Sequence, residues 1–163
     1  PLTLGPRAVE KVLNRKTKVR SWYFDLTLLM KYWGNERTYH HTAPINLNYA
    51  LRESLRLAAE EGLEARWARH RAAAEQLWAG MAELGLKCHV EPELRLATLT
   101  TVRVPDGVDA KAVAGRLLNE YNIEIAGGFG PLAGQVWRVG LMGFNARREN
   151  VALLLEAMKQ VLR

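Results

Sequence analysis

Residues 63–163 predict a small two-layer α+β domain, with helices on one face of a largely antiparallel sheet. Three observations carry this. From Leu63 onward the hydrophobic period alternates in the order α-β-β-α-β-β-α. The first and last of these helices carry long apolar stripes at helical spacing. The runs between them are rich in valine and threonine, and Gly, Pro, Asp and Asn punctuate them. Residues 1–62 are mostly helical in pattern and have no sheet of their own, so they read as the tail of a preceding domain.

Leu2–Leu4 reads as the end of a strand. Gly5-Pro6 breaks it and leads into a short helix over Ala8–Asn14, with proline at an early position where its missing N–H is no loss. Arg15–Arg20 is a basic connector. Trp22–Trp33 is aromatic and apolar and reads as one helix, stopped at Gly34-Asn35. A polar loop follows. Pro44 lies near the start of the next helix, in which Leu47, Leu51, Leu55 and Ala58 share a face until Glu61-Gly62 breaks the run.

The helix from Leu63 places Leu63, Trp67, His70, Ala74, Leu77, Trp78, Met81 and Leu84 on one stripe, and Gly85 supplies its stop. Leu86–Val90 predicts a short strand and Ala97–Val104 a longer one. Pro105-Asp106-Gly107 is a turn. Asp109 can cap a helix over Ala110–Tyr121 by accepting from its free N–H groups. Ile123–Ile125 predicts a strand, and the glycine-rich loop Gly127–Gly134 leads to another over Val136–Gly140. Asn145 is placed to cap the last helix, whose stripe is Val151, Leu154, Leu155, Met158, Val161 and Leu162.

The chain has 163 residues, 48% of them hydrophobic and 25% charged. That suffices for one sizeable core, or for a small domain plus part of another. The apolar stretch at Leu26–Met30 is too short to span a membrane, and no signal-peptide pattern opens the chain, so no membrane partner is expected. Lone Cys88 cannot form an internal disulfide and suits a reducing compartment. The net charge of +6 raises a nucleic-acid or anionic partner. Its only dense block, Arg7–Arg20, lacks the interleaved aromatics of a single-strand groove. The favoured reading is a piece of a longer protein whose acidic part lies elsewhere, with no nucleic acid bound. The start Pro-Leu-Thr-Leu, without methionine, reads the same way.

The segment Arg37-Thr38-Tyr39-His40-His41-Thr42-Ala43-Pro44 concentrates imidazoles and hydroxyls in a loop. Tyrosine and threonine hydroxyls can donate to a phosphate oxygen. The plainer reading is a polar loop that satisfies nearby backbone groups. A metal site is disfavoured, because adjacent residues such as His40 and His41 usually point apart and no second cluster has ligand spacing.

Arg138 is a lone charge in the apolar strand Gln135-Val136-Trp137-Arg138-Val139-Gly140, on the face of Val136 and Gly140. Its planar fork matches a carboxylate bidentately. An internal pair with Glu124, or a solvent-exposed sheet face, explains it equally well. The loop Gly127-Gly128-Phe129-Gly130-Pro131 is followed by a strand and not a helix, so it is no nucleotide loop. Its glycines suit positive φ and close backbone approach. Lys11, Lys16, Lys18 and Lys31 lie in basic or helical contexts, unlike a desolvated nucleophilic lysine. No catalytic nucleophile or base is assigned, and His70 and His89 are given structural roles.

Several blocks in order resemble one family. They are Arg15–Lys18, Tyr39–Pro44, Leu51–Leu55, Glu61–Glu64, Thr98–Val104, Ile123–Ile125, Gly127–Pro131, Arg138–Leu141 and Asn145–Asn150. Together they are similar to the C-terminal half of the alanine–glyoxylate / serine–pyruvate aminotransferases, class V enzymes that use pyridoxal 5'-phosphate (PLP). The resemblance implies the α/β type I PLP-transferase fold. Residues 1–62 would then be the tail of the PLP-binding large domain, and 63–163 the small α+β domain. It implies that Tyr39 and Thr42 reach the PLP phosphate of a neighbouring subunit, and that Arg138 binds the substrate α-carboxylate. It implies a homodimer with interface active sites and ping-pong transfer of an amino group from alanine or serine to glyoxylate or pyruvate. The compartment would be peroxisomal or mitochondrial in a eukaryote, otherwise cytoplasmic. The family's Schiff-base lysine would lie upstream of Pro1, so this stretch alone is expected not to transaminate. Three other readings remain: a non-catalytic dimerisation or binding module, a related transaminase for 3-hydroxykynurenine or ureidoglycine, and a basic nucleic-acid-binding protein.

Overall fold

The computed structural model describes residues 2–163, which form two compact units divided after Glu53. In the first, helix α1 (Pro6–Leu13) starts where the Gly5 carbonyl accepts from Ala8 and Val9 N–H at 3.0 and 3.1 Å. Leu2–Leu4, predicted as a strand end, is exposed and unpaired, because no strand runs beside it among the described residues. The helix predicted over Trp22–Trp33 is a 3₁₀ turn at Trp22–Phe24 and then helix α2 (Leu26–Trp33). Asp25 separates them: it is extended, and its carboxylate accepts from Thr27 N–H at 3.0 Å and Thr27 Oγ1 at 2.6 Å. A capping side chain this close to the backbone outcompetes helix continuation. α2 packs on α1 and stops at Gly34. Helix α3 (Ile45–Glu61) begins one residue after Pro44, whose carbonyl accepts from Asn48 N–H at 3.0 Å, and carries the chain into the second unit.

There Gly62, at φ +80°, separates α3 from helix α4 (Leu63–Glu83). The rest is strand β1 (Leu99–Arg103), helix α5 (Ala110–Tyr121), strand β2 (Ala126–Gly127), strand β3 (Val136–Gly140) and helix α6 (Arg148–Val161). The sheet is antiparallel in the order β1-β3-β2. Its register pairs Thr100 with Val139 and Val102 with Trp137 on one face, and Thr101 and Ala126 with Arg138 on the other. The first face meets the helices in a single core that contains Leu77, Met81, Val102, Leu117, Trp137, Val151 and Met158. Each such side chain contributes roughly 1.5–3 kcal/mol by leaving water.

The two indole N–H groups entering this core are satisfied. Trp78 Nε1 donates to Thr100 Oγ1 and Trp137 Nε1 to the Ala110 carbonyl, both at 2.9 Å. α4 and α6 approach closely at Gly80, where a Cβ would overlap the Leu155 side chain. Asp109 caps α5, accepting from Lys111 and Ala112 N–H at 2.8 and 3.1 Å.

Four expectations are corrected in this unit. Leu86–Val90 is not a strand but one bridge, Cys88 to Val102, flanked by His89 N–H to Thr101 O and Arg103 N–H to Lys87 O, both 2.8 Å. Ile123–Ile125 is not a strand either, and pairing starts at Ala126. Asn122 turns left-handed at the α5 C-terminus and Ile123 N–H bonds back to Leu117 O, which delays the approach to β3. Asn145 does not cap α6. It closes a 3₁₀ turn over Gly143–Asn145, and Arg147 holds the N-cap position without a side-chain acceptor. Finally, the α4 stripe outruns its partner, leaving Leu63 and Trp67 exposed.

Candidate functional site

The two groups of residues singled out by sequence lie in different units, and each is built locally. In the first unit His40 is the buried centre, 7% exposed. Its ring stacks on Trp22 with centroids 4.1 Å apart and planes at 14°. His40 Nε2 lies 3.2 Å from the Trp22 carbonyl, which can only accept, so this nitrogen carries hydrogen. In a neutral ring Nδ1 is then an acceptor, and His41 Nδ1 stands 2.9 Å from it. The two imidazoles therefore converge, contrary to the expectation that neighbours point apart, because each also packs on the Tyr23 and Tyr32 rings. Among the described residues no three His, Cys, Asp or Glu groups are gathered to hold a metal ion.

Buried His40 and half-buried His41 pin the loop between the two hydroxyl-bearing residues. Tyr39 is 70% exposed, and its hydroxyl lies 2.8 Å from Thr42 Oγ1. The loop thus presents two rotatable hydroxyls side by side. The anchoring role of Trp22 is absent from the sequence reading, and only its aromatic neighbours Tyr23 and Phe24 signal it.

In the second unit Arg138 projects from the sheet face that carries no helix. It is half-buried, and the pair with Glu124 that sequence allowed does not form. Arg138 Nε donates to the Gly127 carbonyl at 2.8 Å, and the guanidinium carbon lies 5.1 Å from the Phe129 ring centroid. Nη1 and Nη2 have no partner among the described residues. The neighbouring loop is rigid: Gly128 N–H bonds Val136 O at 2.9 Å, Gly130 sits at φ +56°, and Gln135 Nε2 donates to Pro131 O at 2.8 Å. Nothing in the linear sequence marks Phe129 apart from the glycines around it. The register, which sets Ala126 against Arg138, is what brings it to the guanidinium.

The turn after β3 is held by α4. Arg69 Nη1 donates to Gly143 O at 2.9 Å and Ala146 O at 2.7 Å. His70 Nδ1 donates to Arg66 O at 2.7 Å while its Nε2 accepts from Gly143 N–H at 3.1 Å, so its role is structural. Glu61 anchors both arginines, with Arg69 Nη2 and Arg66 Nη1 each 2.9 Å from Oε2. The Arg69 hydrogen bond, followed by that from Arg66, brings the Glu61 carboxyl down to about 2. Lys11, Lys16, Lys18 and Lys31 are all exposed.

The model of the aminotransferase class-V family matches residues 10–154. The chain belongs to that family. This class-V aminotransferase segment is 46% identical over 165 residues to the alanine–glyoxylate aminotransferase of Callithrix jacchus, spanning 99% of this chain and 40% of that protein. It is 41% identical over 159 residues to the (S)-ureidoglycine–glyoxylate transaminase of Bacillus subtilis, covering 98% and 38%. Among solved structures, the alanine–glyoxylate aminotransferase of Nostoc sp. superposes with a TM-score of 0.93 at 63% identity, over 99% of this chain and 43% of that one. The chain therefore spans about two fifths of its relatives' length, and its architecture is the C-terminal part of the type I aminotransferase fold. No helix among the described residues is long and apolar enough to cross a membrane.

Proposed function

We propose that this class-V segment is the C-terminal part of a PLP-dependent aminotransferase that moves an amino group from alanine or serine to glyoxylate or pyruvate. The observation that carries the reading is Arg138: a half-buried guanidinium, unneutralised, on an open sheet face, with two terminal nitrogens free. A group of that kind matches an α-carboxylate. In this reading residues 1–62 close the PLP-binding domain and 63–163 form the small domain.

The hydroxyl pair suits the cofactor. Tyr39 and Thr42 are both exposed, and both hydroxyls can turn outward as donors to a phosphate dianion without a strong positive field. In a homodimer with active sites at the interface, they would hold the PLP phosphate of the partner's site. PLP, when bound, supplies the electron sink for loss of the α-proton. The chain's own share is binding and orientation: Arg138 fixes the carboxylate and so the direction of the α-carbon, a proximity contribution. Ureidoglycine is the second donor to test, because the Bacillus subtilis relative of that name matches nearly the whole chain.

The test uses the full-length protein. Arg138→Ala is expected to lower kcat/KM for alanine by about 100-fold, the scale of losing a charged bidentate pair, with PLP content unchanged. Tyr39→Phe is expected to weaken PLP binding about tenfold, the scale of one hydrogen bond to a charged group. Unchanged amino-acid kinetics in Arg138→Ala overturns the reading.

A further inference from the structure

Arg138 would be free to rotate about its side-chain bonds if only its strand held it. Two contacts prevent that. The Gly127 carbonyl takes the Nε hydrogen at 2.8 Å, and the Phe129 ring lies 5.1 Å from the guanidinium carbon. Phe129 is 74% exposed in this segment and stands outside its core. Its backbone is nevertheless closely fixed. Gly128 before it is bound to Val136 O, and its own carbonyl accepts from Leu132 N–H at 3.2 Å to close the following turn. An exposed ring on a rigid mount, beside an unpaired cation, is the geometry of a cation–π support. Guanidinium groups favour such faces because they are planar and weakly hydrated.

We propose that Phe129 is a positioning residue for Arg138. Its ring sets the guanidinium plane while Gly127 O occupies Nε, so a substrate carboxylate is received end-on, by Nη1 and Nη2 together. This rests on the clamp reading of Arg138. It adds that the side-on mode through Nε is closed, and that recognition of any carboxylate substrate at this site depends on an aromatic ring that makes no core contact.

The full-length PLP-loaded enzyme tests this with Phe129→Ala, Phe129→Leu and Phe129→Tyr. Alanine and glyoxylate KM are expected to rise about two- to fivefold in the Ala and Leu variants, with kcat nearly unchanged, and to return to the wild-type value in the Tyr variant. Reaction with ethylamine, which lacks the carboxylate, should be the same in all. Independently of activity, the Arg138 Nε–H signal in ¹⁵N NMR, assigned by its loss in Arg138→Lys, should exchange faster with solvent in Phe129→Ala. Wild-type KM and wild-type exchange in Phe129→Ala, alongside a defective Arg138→Ala, overturns the role of Phe129 alone. A normal Arg138→Ala removes the clamp and this proposal with it. An equal loss toward alanine and ethylamine marks Phe129 as merely structural and overturns the proposal.

Discussion

Gly128 lies directly against the carbonyl of Leu132, so closely that a Cβ at residue 128 would overlap that oxygen and also press on Val136. A backbone oxygen cannot swing aside as a flexible side chain does. The Gly127–Pro131 loop is therefore built around the absence of one side chain, and that loop delivers both contacts to Arg138.

Gly128→Ala should accordingly cost about 1–3 kcal/mol of stability, the scale of overpacking a tight site. It should also impair Arg138, because the Gly127 carbonyl moves with the loop. Urea denaturation measures the first effect and the KM for alanine the second. A variant as stable as wild type would show that the loop yields freely.

Glu61 links stability to pH. Its carboxyl sits at about 2 in the folded chain against an ordinary value of 4.5, because Arg69 and then Arg66 bond its charged form. A lowered carboxylate stabilises fully above the unfolded value and loses that contribution as pH falls through the folded one. The melting temperature of wild type should thus exceed that of Glu61→Gln near pH 7. The gap should narrow from about pH 4.5 downward and close near pH 2. A gap independent of pH would mean that the ion pairs contribute nothing.

Asp109→Ala should destabilise the second unit by about 1 kcal/mol, since it strips the acceptor from two N–H groups at the start of α5. Asp109→Asn should restore most of it, because an amide oxygen also accepts there. The shift of the urea midpoint decides; equal midpoints for the Ala and Asn variants would contradict a capping role.

How legible each part was follows from how local its cause is. The α5 helix and β3 strand have the bounds that the sequence predicts, because Asp109, the αL-prone Asn122 and the alternation of Val136–Gly140 act within a few residues. Asn145 misled for the opposite reason. Its local pattern suits a cap, but Arg69 and His70, more than seventy residues earlier, hold the Gly143–Ala146 backbone in a 3₁₀ turn instead. The split of Trp22–Trp33 was written in Asp25 and could have been read there.

By itself the sequence determined the class of the domain, its three helices, the strands at Leu99–Arg103 and Val136–Gly140, and the residues worth suspecting: Tyr39, Thr42 and Arg138. Periodicity, capping and turn chemistry are short-range and survive in a linear string. Only the tertiary structure decided what those residues are attached to. The stacking of His40 on Trp22 and the seating of Arg138 between Gly127 and Phe129 are contacts set by chain reversal and strand register. A one-residue shift of β2 against β3 would put another residue opposite Arg138 and carry the Gly127–Pro131 loop out of its reach, and no local pattern specifies that register. The Tyr39–Thr42 loop is likewise a list of polar groups until a buried imidazole fixes it from within.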